Sequence, residues 1–156
     1  MKLTVRLRER IPDCRPIGVN KQGLTIFRIK TAFHYYVNGV PHVVPAQFCF
    51  DGASIPWGLR NSFSPTDTRY LAAAAIHDLL YIARYYPQRL CDDIFLAAIE
   101  ACGQTGKAKR TAMYWAVRLF GGPAYRQNTK AETMAARRLL GITEDRMPLF
   151  SVVRSV

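Results

Sequence analysis

The hydrophobic pattern of this chain changes its period once, between residues 50 and 64, and that change constrains the fold class. Before it, apolar and polar residues alternate in short runs, which is typical of strands with one buried face. After it, apolar residues recur every three or four positions, which is typical of amphipathic helices. We therefore expect an α+β fold, with a small antiparallel N-terminal sheet packed on a C-terminal helical part of three to four helices.

A hairpin is the strongest local prediction in the first half. Asn38-Gly39 separates two runs rich in aromatic and β-branched residues, and a tight hairpin turn needs positive φ at both central positions. Pro41 and Pro45 lack amide hydrogens, so we expect the returning strand to lie at a sheet edge. The predicted strands cover residues 3–8, 24–29, 32–37, 40–44 and 48–50.

Caps, prolines and glycines mark the helix boundaries of the second half. Ser64-Pro65-Thr66-Asp67 combines a capping hydroxyl, a proline suited to the first turn and an acid three residues later. The predicted helices cover residues 64–84, 88–102 before Gly103, 107–120 before Gly121-Gly122-Pro123, and 131–140. We therefore predict one domain over residues 1–125, with its sheet at about 1–50 and its helices at about 64–121. A basic C-terminal extension with one helix would cover 126–156.

Positive charge is concentrated at both ends of the chain. The net charge of +11 divides into +6 for residues 1–30, −2 for residues 31–103 and +7 for residues 104–156. Basic ends favour an acidic partner surface or nucleic acid, although they are equally compatible with solvated faces, and no nucleic-acid-binding motif is recognisable. An arginine-rich run follows the first five residues, and the longest apolar stretch is short. We therefore expect no signal peptide and no membrane span.

Four polar residues lie within segments of the sequence that are otherwise mostly apolar. Asp51 ends an apolar strand, and His77-Asp78 interrupts an alanine- and leucine-rich helix. Helical periodicity turns Asp92 towards the apolar side of the second helix and Asp93 towards solvent. Because a short loop joins the two helices into a hairpin, Asp92 should lie level with His77 and Asp78.

This residue set suggests a hydrolytic site. Carboxylates with one imidazole suit Zn, Mg or Mn, so Asp51, His77 and Asp92 are candidate ligands for a metal that activates water. Asp78 would then orient His77 or act as a base. Without metal, His77 would be a general base and Ser54 a nucleophile, although no Gly-x-Ser-x-Gly elbow surrounds Ser54.

Each of these residues also has a purely structural interpretation. Asp51 can cap backbone amides in a local turn. Asp78 can be neutralised by an arginine such as Arg110 or Arg118, because a buried carboxylate needs a partner. His77 can be a core histidine whose hydrogen bonds are satisfied internally.

Four segments resemble the domain-of-unknown-function 1353 family, over about residues 20–125. They are Phe50-Asp51-Gly52-Ala53-Ser54-Ile55-Pro56, His77-Asp78-x-x-Tyr81, Cys91-Asp92-x-x-Phe95 and Met113-Tyr114-x-x-Val117-Arg118-x-Phe120-Gly121. The resemblance implies a small phage or prophage protein from a largely uncharacterised family. It also implies that the family's signature polar positions are Asp51, Ser54, His77, Asp78 and Asp92.

Two functions follow as expectations. The first is a metal-dependent hydrolase that acts on a cell-wall component or a phosphoester. The second is a non-enzymatic virion or accessory protein of the tail, head–tail or host-interaction type. In that case the Asp/His cluster would lock the sheet onto the helices, and the basic ends would bind other phage proteins, an acidic surface or DNA. The expected location is the host cytoplasm or the virion.

Overall fold

Six strands precede four helices in this computed structural model, which describes residues 2–51, 64 and 66–141. The expected α+β class is confirmed. The strands are β1 (Val5–Leu7), β2 (Cys14–Val19), β3 (Thr25–Ile29), β4 (Phe33–Val37), β5 (Val40–Val44) and β6 (Cys49–Phe50). The helices are α1 (Leu71–Ala83), α2 (Gln88–Cys102), α3 (Lys107–Gln127) and α4 (Lys130–Leu139).

The strands form two antiparallel sheets of three strands rather than one sheet, in the orders β1-β4-β5 and β2-β3-β6. The predicted hairpin is confirmed, because Asn38 and Gly39 adopt φ values of 48° and 83° and β5 lies at an edge. Strand β2 was not predicted. Its Pro16 and Gly18 obscure the alternating pattern, and the pairing register with β3 shifts between them.

The first helix starts later than its capping signal predicts. Ser64 and Asp67 form a turn, in which the Asp67 amide donates to the Ser64 carbonyl at 3.2 Å. The Asp67 carboxylate accepts hydrogen bonds from the backbone amide and guanidinium of Arg69, which fixes this turn, and α1 begins at Leu71. The predicted end of α2 is confirmed, because Gly103 terminates it with φ 73°.

The third helix continues through the predicted stop at Gly121-Gly122-Pro123 and ends at Gln127. Pro123 removes the amide that would bond the Leu119 carbonyl. Leu119 is 66% exposed, so water can bond that carbonyl instead. Tyr125 anchors the last turn by donating to the Tyr86 carbonyl at 3.0 Å. Helix α4 starts with a capping box and lies within one residue of its predicted range.

Helix α1 lies at the centre of the molecule and contacts β5, β6 and the other three helices. Its residues 72–75 are all alanines with at most 1% exposure, and their small side chains allow neighbouring elements to approach closely. The functional side chains of α1 are therefore held in a packed frame. Within the described ranges, no helix is long and apolar enough to cross a membrane.

Candidate functional site

A cleft of about 740 Å³ opens beside α1, between the edge formed by β3 and β6 and the junction of α3 with α4. Three of the predicted site residues line it, namely Asp51, His77 and Asp78. Phe120 and Glu132 contribute from the opposite wall. Titratable side chains from the sheet and from the helices therefore line the same cleft.

Asp51 and Asp78 form a carboxyl pair in this cleft. Asp51 directly follows β6, and its side chain and backbone both hydrogen-bond the Asp78 carboxyl group. Burial in the cleft wall and the adjacent Asp51 carboxylate raise the pKa of Asp78 well above its ordinary value. The Asp78 carboxyl group therefore keeps its proton to a higher pH than an ordinary aspartate does, because two carboxylates in contact do not both ionise readily.

Asn20 fixes one member of the pair. Its Nδ2 donates to Asp51 Oδ2 at 3.0 Å, and its Oδ1 accepts from the backbone amides of Gln22 and Leu24 at 2.9 Å each. The amide orientation of Asn20 is therefore set by the turn between β2 and β3. This turn positions Asp51 from the side of the sheet.

Behind the cleft, Asp92 is the centre of a buried hydrogen-bond network. Asp92 is 0% exposed, and its Oδ1 accepts from the Tyr81 hydroxyl at 2.5 Å and lies 3.2 Å from His77 Nε2. Its Oδ2 accepts from Arg118 Nη1 at 3.3 Å. We call these four residues the Asp92 network. It joins α1, α2 and α3 through one carboxylate.

His77 belongs to both the network and the cleft wall. Burial lowers the pKa of His77, against a smaller opposing effect from its hydrogen bond to Asp92. The imidazole is therefore neutral at pH 7, and the tautomer protonated at Nε2 donates to Asp92. Its ring packs on Tyr81 and Phe95, with centroid distances of 4.0 and 4.7 Å. These contacts hold the ring in one orientation beside the carboxyl pair.

The arginines expected to neutralise Asp78 bind other acids. Arg118 bridges Asp92 and the half-exposed Asp93, the latter at 2.7 Å, and Arg110 lies 3.5 Å from Glu100. The prediction that Asp92 points inwards and Asp93 outwards is confirmed.

The predicted metal ligands do not all meet. Asp92 does not line the cleft, and its oxygens already contact three side chains. Among the residues that the structure describes, no group of three or more His, Cys, Asp or Glu side chains is arranged to hold a metal ion. Ser54 lies outside the described residues.

Sequence reasoning missed several residues of the site, among them Tyr81 and Asn20. Tyr81 lies one turn after His77, so its position on the same helical face was a usable signal. Asn20 had no such signal, because only the pairing of β2, β3 and β6 brings it to Asp51.

A family model described as "Protein of unknown function (DUF1353)" matches residues 27–117. The matched span covers more than half of the chain and includes the carboxyl pair, His77 and Asp92, while Asn20 and α4 lie outside it. Searches of the curated proteins and of the solved structures found no match. The chain therefore belongs to the DUF1353 family.

Proposed function

We propose that this protein is a hydrolase whose reactive centre is the Asp51–Asp78 carboxyl pair. The observation that supports this proposal is a hydrogen-bonded pair of carboxyl groups in the wall of an open cleft, where the pKa of Asp78 is raised. A protonated acid beside an ionised carboxylate supplies an acid and a base at the same pH. Strongly perturbed carboxyl groups in a cleft are also more frequent at catalytic sites than elsewhere.

The contact between the carboxyl groups favours amide hydrolysis over glycoside hydrolysis. Glycosidases separate their two carboxyl groups by about 5–9.5 Å, whereas Asp51 and Asp78 are directly hydrogen-bonded. Hydrogen-bonded carboxyl pairs suit the attack of water on an amide carbonyl. The carboxylate takes a proton from the water as its oxygen bonds to the carbonyl carbon, and the carboxylic acid donates its proton to the carbonyl oxygen, which gives a tetrahedral diol. The C–N bond then breaks as the newly protonated carboxyl group gives its proton to the leaving nitrogen, and the other carboxylate takes a proton back from the diol. Of the expected substrates, a peptide part of a cell-wall component fits this chemistry best.

The test is a cleavage assay on two substrates, purified bacterial peptidoglycan and a complex peptide mixture, read by mass spectrometry. We expect wild type to release new amine and carboxyl termini, and Asp51→Asn and Asp78→Asn to lose this activity. Glu100→Gln, which removes an acid from α2 outside the cleft, should keep it. Identical products from wild type and Asp78→Asn would exclude the pair as the reactive centre.

A divalent cation is the alternative occupant of the same pair. Carboxylate oxygens suit Mg, Mn or Zn, and a bound cation would displace the proton from Asp78. Titration calorimetry with Mn²⁺ in two buffers of different ionisation enthalpy measures whether binding of the cation releases that proton. Heats that differ between the buffers, and that vanish in Asp78→Asn, would favour the metal-dependent mechanism. An absence of binding, or binding that is unchanged in Asp78→Asn, would favour the metal-free mechanism.

The non-enzymatic function expected from the resemblance has one observation in its favour. Helices α3 and α4 are rich in lysine and arginine, and α3 exposes Trp115, Leu119 and Phe120 by 51%, 66% and 61%. Exposed apolar groups beside basic ones suit an acidic protein surface or DNA. Binding to duplex DNA that weakens steeply with salt, together with absent cleavage of all substrates, would support this function and the phage setting that the resemblance implies.

A further inference from the structure

The cleft has the opposite charge from the chain as a whole. Lysine and arginine outnumber acids by 22 to 11 in the sequence. The cleft nevertheless contains the carboxyl groups of Asp51, Asp78 and Glu132, and none of the described residues that line it is a lysine or an arginine. A basic protein thus has an acidic binding surface where its reactive groups lie.

The other cleft residues are amides and apolar side chains. Asn20, Gln127 and Asn128 supply amide groups, and Val117, Phe120 and Ile82 supply apolar area. Phe120 projects with 61% exposure at this wall. Amides beside apolar side chains suit a peptide, because its backbone needs hydrogen-bond partners and its side chains need apolar contacts.

We infer that the cleft binds a peptide segment that is uncharged or carries an amine, and that it excludes phosphate-bearing and carboxylate-rich ligands. This inference rests on the proposed function, because it names the substrate class of the same carboxyl pair. An ammonium group meets charged acceptors in the cleft, whereas an anion meets carboxyl groups with no compensating cation among the described lining residues. Phosphoesters and nucleic acids would instead bind the lysine- and arginine-rich surfaces of α3 and α4 outside the cleft.

The experiment is a set of NMR titrations of the full chain with three small probes at millimolar concentration. The probes are N-acetyl-lysine methylamide, N-acetyl-glutamate methylamide and phenyl phosphate. The matched variants are Glu132→Gln, which removes a cleft charge but keeps a side chain able to cap α4, and Glu100→Gln, which removes a charge elsewhere.

We expect the lysine probe to shift the signals of cleft residues and the two anionic probes to leave them unchanged. The dissociation constant of the lysine probe should rise about fivefold in Glu132→Gln, as one charge interaction in a solvated cleft implies, and stay constant in Glu100→Gln. Cleft shifts with either anionic probe, an absence of cleft shifts with the lysine probe, or equal affinity in both variants would overturn the inference. None of these results depends on catalysis, so the cleavage assay judges the proposed function separately.

Discussion

Asp92 and Asp93 are adjacent residues that bind the same arginine, and replacing each by asparagine tests how burial controls the strength of an ion pair. The Asp93–Arg118 contact is the shorter, at 2.7 Å against 3.3 Å for Asp92. The Asp93 side chain is 41% exposed and the Asp92 side chain 0% exposed. Distance and burial therefore predict opposite orders of stability for the two variants.

We expect Asp92→Asn to lower the free energy of unfolding by about 2–4 kcal/mol. The substitution weakens two charge-assisted hydrogen bonds, from Tyr81 and from Arg118, each of which contributes ~1.5–3 kcal/mol when buried. The asparagine oxygen can still accept one of these hydrogen bonds, although more weakly. The expected loss of stability is therefore smaller than the sum of the two contributions. Asp93→Asn should cost only ~0.2–1 kcal/mol, because solvent screens its ion pair.

Urea unfolding of both variants, followed by circular dichroism, measures the two differences. The slopes of the unfolding curves should match wild type, so that the midpoints report stability alone. A larger loss in Asp93→Asn than in Asp92→Asn would refute the reasoning, since it would mean that contact distance outweighs burial. Equal small losses would mean that the Asp92 network contributes little to the fold.

Three further predictions concern the surroundings of the carboxyl pair. In Gly121→Ala the new Cβ would lie 2.6 Å from the Tyr81 hydroxyl, so thermal unfolding should show a loss of ~1–3 kcal/mol, whereas Gly122→Ala meets only a flexible arginine and should be neutral or stabilising. Because burial lowers the pKa of His77, this group should make the free energy of unfolding fall as pH drops below 6.5, with a slope of up to ~1.4 kcal/mol per pH unit. His77→Gln should reduce that slope, and the same change at the exposed His34 should leave it intact. Because the pKa of Asp78 is raised, the folded chain keeps a proton that the unfolded chain loses, so this group lowers stability as pH rises above 3.8 until the raised pKa is passed. Where this range overlaps that of His77 the two contributions oppose each other, so each is measured as the difference between its variant and wild type. Asp78→Asn should therefore gain stability relative to wild type as pH rises through this range, and a difference that does not change with pH would contradict the raised pKa of Asp78.

Short sequence patterns predicted the turns, helix ends and helix faces that depend on neighbouring residues in the chain. Asn38-Gly39 predicted a hairpin because few residue pairs tolerate two positive φ values. The end of α2 followed from Gly103, and helical periodicity distinguished Asp92 from Asp93. In each case the signal and the structure that it predicts lie within a few residues of each other.

Features that depend on distant contacts were not predictable. The division of the strands into two sheets depends on β2, whose proline and glycine hide its pattern. The extension of α3 past Pro123 depends on the bond from Tyr125 to the Tyr86 carbonyl, 39 residues away. The proposed metal ligands remain a prediction, but the pairing of Asp51 with Asp78 rather than with Asp92 follows from tertiary packing that no spacing rule contains.

The Asp92 network also has a consequence for the order in which the chain folds during synthesis. The carboxylate belongs to α2 and two of its partners belong to α1, but its cationic partner, Arg118, lies on α3. A nascent chain that ends before α3 would have to bury a negative charge without its counter-ion, which is unfavourable. We therefore expect the helical hairpin of α1 and α2 to stay open on the ribosome until α3 emerges, and the three helices then to close together.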